Sequence, residues 1–226
     1  MADRPSNGIS SRKSPKQARS NELVNAILQA AVQVLAQEGA QRFTTARVAE
    51  RAGVSVGSLY QYFPNKAAIL FRLQSDEWRQ TSHLLGEVLS DETRPPLDRL
   101  RSLVHAFIRS ECEEAAVRVA LNDAAPLYRD APEAQEARSA DDPVIERFMR
   151  ETLPNASDTI RAMAGDLVMT TMSTVGKEFS EEAHGESEIS AFADAMADMF
   201  CAYLRSLGKL GADGQAMSGA VAVFGA

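Results

Sequence analysis

Phe43 to Lys66 reads FTTARVAERAGVSVGSLYQYFPNK. Thr44 has the hydroxyl that caps a short helix ending near Ala52, because a threonine oxygen there accepts from a first-turn N–H that lacks a helical partner. Gly53 supplies the turn, and Ser55 caps a second short helix running through about Tyr62. Pro64 then starts a new helix, with its fixed φ and missing N–H. Val48 and Ala49 face inward, Ala49 is small enough for close approach of the second helix, and Val54 and Leu59 fill the angle between the two. Period-two alternation is absent from the stretch, which predicts an all-α protein.

Two short helices at such an angle leave the start of the second free to enter a DNA major groove. Val56, Gly57 and Ser58 lie there, with Tyr60, Gln61 and Tyr62 further along. Ser58 can bond a base edge and Val56 can meet a thymine methyl, while Gly57 permits close backbone approach. Thr45, Tyr62 and Lys66 carry the hydroxyl and ammonium groups suited to phosphate. A structural reading stands beside each: Tyr60 and Tyr62 as half-buried aromatics of a small domain, Lys66 as a solvated lysine, Thr44 as a cap alone.

Outward from this stretch, Leu23, Ile27, Ala30, Ala31, Val34 and Leu35 form the stripe of a first helix from about Asn21 to Glu38, stopped by Gly39. On the other side the helical pattern from Pro64 continues to Val88 and is broken by DETRPP, Asp91 to Pro96. Further helices are predicted from Leu97 to Cys112, around Val144 to Leu153, from about Ala156 to Glu182 and from about Glu188 to Leu207. The division that follows is a disordered basic tail over 1–18, a helix-turn-helix domain over 19–66, a helical ligand-binding and dimerisation domain over 67–210, and a flexible tail over 211–226.

The net charge of -7 would by itself speak against nucleic acid. Its distribution reverses that inference. Up to Lys66 nine basic side chains face four acidic ones, so the remainder carries the whole acidic excess. A basic head on an acidic body turns one end toward phosphate and repels the other. Two cysteines, Cys112 and Cys201, fit a reducing compartment. No apolar run approaches the roughly 20 residues that span a bilayer, and no secretory core follows the start, so the expected location is cytoplasmic, with no membrane partner.

Catalytic patterns are poorly served. Gly53-Val54-Ser55-Val56-Gly57 has the letters of the G-x-S-x-G nucleophile elbow, but that motif needs a buried strand before it, where TARVAERA reads as helix. His83, His105 and His184 lie far apart, without metal-ligand spacing, and no phosphate-binding loop occurs. Neither an enzyme, nor a metal, nor a cofactor is expected. In the body, Trp78, Phe107, Met149, Met163, Met169 and Met172 are candidates to line a small-molecule pocket, since thioethers and rings make adaptable apolar walls. They are equally suited to packed core. Met172, Val175, Phe192, Met196, Met199, Phe200 and Tyr203, on the last two helices, are candidates for a four-helix interface with a second copy.

A long first helix ending in Gly39, Thr44-Thr45, the turn Ala52-Gly53-Val54-Ser55, Leu59-Tyr60-x-Tyr62-Phe63 and Lys66 two residues past Pro64 together resemble the signature of the TetR family of transcriptional repressors. The resemblance covers about Leu23 to Leu73. It implies an Ω-shaped homodimer of subunits with nine or so helices, reading a pseudo-palindromic double-stranded DNA operator and releasing it when a small molecule enters the C-terminal body. It also implies phosphate contacts for Thr45, Tyr62 and Lys66 and base-proximal places for Val56, Gly57, Ser58 and Tyr60. Ala46 has no long polar side chain of the kind some relatives aim at a base. The alternative is a non-enzymatic helical protein-interaction module without operator specificity.

Overall fold

The computed structural model describes residues 18–133 and 143–212. Its helices are α1 (Ala18–Arg42), α2 (Thr45–Arg51), α3 (Val56–Tyr60), α4 (Lys66–Leu89), α5 (Pro96–Glu113), α6 (Ala115–Ala124), α7 (Pro143–Thr152), α8 (Asp158–Ser180) and α9 (Glu186–Ala212), with a 3-10 turn at Ala125–Leu127. Among the described residues there is no strand. The expected tails over 1–18 and 211–226 lie outside the described residues, except that α1 begins at Ala18 and α9 runs to Ala212.

Two compact units emerge from the packing. The first takes the chain up to Gln80 together with the segment from Ala116, whereas a division by contiguous sequence places the boundary at Lys66. Its core unites Ile27, Leu35, Val48, Leu59 and Phe63 with Leu70 of α4 and Leu121 and Tyr128 from the α6 segment. Tyr128 is 2 % exposed and its hydroxyl donates to Gln74 Oε1 and to the Leu121 carbonyl, each at 3.1 Å. A buried phenol needs such partners, and these bind the α6 segment to α4. Arg118 reaches Glu77 at 2.6 Å along the same seam.

Local chemistry sets the starts and stops. α1 is interrupted at Gly39, whose φ of 73° and ψ of 173° belong to a region open essentially to glycine alone. α3 ends at Tyr60, two residues before the sequence pattern stops, and the N–H groups of Tyr62 and Phe63 beyond it both close on the Leu59 carbonyl. α4 starts at Lys66 and not at Pro64. Asn65 is the reason: its Oδ1 accepts from Ala68 N at 2.8 Å, an N-cap that leaves Pro64 in the approach to the helix.

The second unit holds the end of α4, α5, α7, α8 and α9 around Leu100, Leu103, Phe107, Val168, Met172 and Phe200. α5 packs along α9, and their flanks are joined by Arg101 to Asp194 and Asp198, His105 to Asp194, and Arg109 to Glu186. Gly176 lets α8 come close to α5, since a Cβ there would stand 2.9 Å from Ile108 Cδ1 and 3.2 Å from Phe107 Cε1.

Arg99 is 1 % exposed. It donates to the Leu89 carbonyl at 2.5 Å, pairs with Glu151 and lies 5.7 Å from the centre of the Phe148 ring. One guanidinium therefore joins the end of α4 to α7 from the first turn of α5. Its Nε is left without a hydrogen-bond partner among the described residues.

Candidate nucleic-acid interface and ligand groove

In the first unit, two hydroxyl caps define the helix-turn-helix. Thr44 Oγ1 accepts from Arg47 N at 3.3 Å and Ser55 Oγ from Ser58 N at 3.0 Å. Gly53 makes the turn at φ 67°, and Val54 N closes it on the Ala49 carbonyl at 3.0 Å. Leu59 is wholly buried, so α3 cannot roll about its axis without exposing an apolar side chain. What α3 turns outward is Val56 and Tyr60, each 38 % exposed, with Gly57 beside them.

The polar groups of this face are partly bound to one another. Tyr60 OH lies 3.2 Å from Thr45 Oγ1, linking the end of α3 to the first turn of α2. Ser58 Oγ lies 2.9 Å from Ser55 Oγ. Arg47 pairs with Glu38, and Arg51 donates to Gln33 and Gln37 of α1 at 3.4 and 3.0 Å. Lys66, half-buried at the start of α4, has no counter-ion among the described residues. An ammonium at a helix N-terminus opposes the helix dipole, and an anion placed there relieves the conflict.

The second unit contains a groove of about 690 Å³ between α7 and α8. Leu85, Ile145, Met149, Gly165 and Met169 supply apolar surface, and Glu146, Arg150, Asp158, Arg161 and Asp166 stand around it. Arg161 is held by Asp158 at 2.6 Å and by the Leu153 and Pro154 carbonyls at 3.0 and 3.4 Å. The Arg161 hydrogen bond keeps the Asp158 carboxyl below the usual carboxylate range. Arg150 pairs with Glu146 on its own helix. Burial pushes both the Cys112 and Cys201 thiols up, away from the thiolate.

The profile described as bacterial regulatory proteins, tetR family, matches residues 27–73, and that described as tetracyclin repressor-like, C-terminal domain, matches residues 95–207. The chain belongs to the TetR family. That family is one of bacterial regulatory proteins. The nucleoid occlusion factor SlmA of Vibrio campbellii is 37 % identical over 83 residues, covering 36 % of this chain and 42 % of that protein. The chain thus spans under half the length of the curated relatives it matches. Among solved structures, the fatty acid degradation regulator FadR from Bacillus halodurans superposes with a TM-score of 0.62 at 17 % identity, over 83 % of this chain and 96 % of that one. FadR from Bacillus subtilis, solved with stearoyl-CoA, gives 0.62 at 16 % identity, over 78 % and 97 %. At such identities the likeness is one of fold.

Within this TetR-family fold the expected DNA-contacting residues fall together on the head, in differing circumstances. Thr45, Val56, Gly57, Ser58, Tyr60 and Lys66 are exposed or half-exposed, whereas the Tyr62 ring is 9 % exposed and belongs to the head core. The six candidate ligand residues are not brought together. Met149 and Met169 line the groove; Phe107 and Met172 are closed into the core; Met163 is 48 % exposed outside the groove, and Trp78 belongs to the first unit. Of the interface candidates, Met172, Met196 and Phe200 fill their own subunit's core. Phe192 stacks on Phe179 at 3.8 Å and Tyr203 is half-buried, which leaves Val175 and Met199 outward, joined by Met163 and Leu167.

Arg99, Arg161 and Asp166 escaped the sequence reading. Helical periodicity marks apolar positions, and a charged residue beside them carries no sign of whether it is solvated or enclosed. The described residues contain no helix long and apolar enough to cross a membrane and no group of side chains arranged to hold a metal ion.

Proposed function

We propose that this protein is a sequence-specific repressor that binds a pseudo-palindromic operator as a homodimer and whose DNA affinity is set by a small molecule held in the α7–α8 groove. The observation that carries the reading is α3: capped by Ser55, anchored by buried Leu59 and presenting Val56, Gly57 and Tyr60 outward. A helix so held keeps its orientation when it enters a major groove. Val56 is placed for an apolar contact with a thymine methyl, Ser58 for a base edge, and Thr45 and Lys66 for phosphates on either side. Tyr62 supports them from the core. The exposed apolar side chains of α8 and α9 support pairing with a second copy, which supplies the second half-site reader.

The test is to pass sheared genomic DNA over the full-length protein, sequence the retained fragments and measure their affinity across salt concentrations. A two-fold symmetric motif bound at least about a thousandfold more tightly than random duplex supports operator recognition. Equal affinity for all duplexes rejects it.

A further inference from the structure

We infer that the α7–α8 groove selects a cationic amphipath, a bulky apolar body carrying one positive charge. The inference rests on the reading that this groove holds the effector. Its apolar floor is built: Leu85 and Met149 are 4 % and 2 % exposed, and Gly165 brings α8 so near α7 that a Cβ there would stand 3.2 Å from Ile145 Cγ2. About 690 Å³ is the space of a drug-sized ligand, and the thioethers of Met149 and Met169 adapt to rings and branched chains alike.

Charge decides the rest. Both arginines at the groove are already engaged, Arg150 with Glu146 and Arg161 with Asp158 and two backbone carbonyls. Among the described residues an anionic ligand would meet no free cation there. Asp166, between Ala162 and Met169 on the α8 wall, has no counter-ion among the described residues. Among the described residues its carboxylate is the one uncompensated charge at the groove, and a ligand cation beside it gains both the Coulomb attraction and a partner for its charge. The apolar floor requires that this cation be attached to a hydrophobic body, since a small hydrated ion would leave the floor wet.

Tetraphenylphosphonium and tetraphenylborate have the same shape and opposite charge, and titration calorimetry of the full-length protein with each isolates the electrostatic part. An exposed ion pair alters affinity by about threefold, and reversing the ligand's charge squares that factor, so the cation should bind roughly tenfold more tightly than the anion. Asp166→Asn should remove that preference without changing the thermal unfolding midpoint, and Ala162→Phe should block both ions. Equal or reversed preference in the unaltered protein, a preference that survives Asp166→Asn, or cation binding that survives Ala162→Phe overturns the assignment, as does failure of either ion to bind. Operator affinity measured in parallel by fluorescence anisotropy separates the two proposals: charge-selective binding that leaves DNA affinity unchanged supports the ligand class and rejects the groove's regulatory role.

Discussion

At the scale of single residues, the two glycines flanking α2 do different work. Gly53 has φ 67° and Gly39 has φ 73° with ψ 173°, and at neither would a Cβ meet an atom within 4 Å. Substitution is therefore a test of backbone conformation alone. Gly53→Ala should cost about 1 kcal/mol, the lower end of the left-handed penalty, while Gly39→Ala should cost toward 3 kcal/mol because its region is closed to side chains. Urea unfolding midpoints of the two variants compare them directly, and equal losses would show that the α1 interruption relaxes. Lys66 offers a functional counterpart. If its ammonium meets a phosphate, Lys66→Ala weakens operator and random DNA alike and lowers the slope of log affinity against log salt by about one unit. A loss confined to the operator would place Lys66 among the sequence readers instead.

At the scale of elements, the helices follow from hydrophobic spacing and caps, but their junctions do not. Arg99 joins the end of α4 to α7 by hydrogen-bonding the Leu89 carbonyl and pairing with Glu151. Glu151 is 41 % exposed and can return to water if its partner is lost, whereas the guanidinium is enclosed. The two ends of the contact should then respond unequally. Arg99→Met, which keeps the volume and leaves Glu151 free to be hydrated, is expected to cost about 1 kcal/mol or less, and Glu151→Gln, which strands the enclosed guanidinium without its counter-charge, about 3 kcal/mol. Chemical denaturation of both variants checks the asymmetry. A stabilised Arg99→Met protein would mean that burying the charge costs more than its bonds return, the outcome seen when apolar side chains replace buried ions well.

At the scale of the whole molecule, exposed Met163 and Leu167 stand one helical turn apart on α8, and Met199 is exposed on α9. Large apolar side chains left in water on adjacent turns mark a surface that gains by being covered. If a second copy covers it, Leu167→Glu with Met199→Glu should shift the protein to monomer at micromolar concentration in sedimentation velocity. Operator affinity should fall by orders of magnitude while the far-ultraviolet circular dichroism of the subunit stays unchanged. An unaltered sedimentation coefficient would place the dimer surface elsewhere.

The sequence alone determined the all-α class, the head and most helix spans, because these depend on local chemistry: a hydroxyl before a helix, a glycine at a turn, apolar residues three and four apart. Val48, Leu59 and Phe63 are recognisable as core from spacing, and the Thr44 and Ser55 caps from residue type. Tertiary packing decided what spacing leaves open. It closed Phe107, Met172 and Phe200 into the core while leaving Met163 and Met199 in water, although all five are apolar residues in helices. It turned Tyr60 back onto Thr45, drew the α6 segment into the head's core and enclosed Arg99. A helix shows its apolar stripe in one dimension, but which part of that stripe meets a neighbour depends on the angle at which distant segments cross, and that is set only when the whole chain is packed.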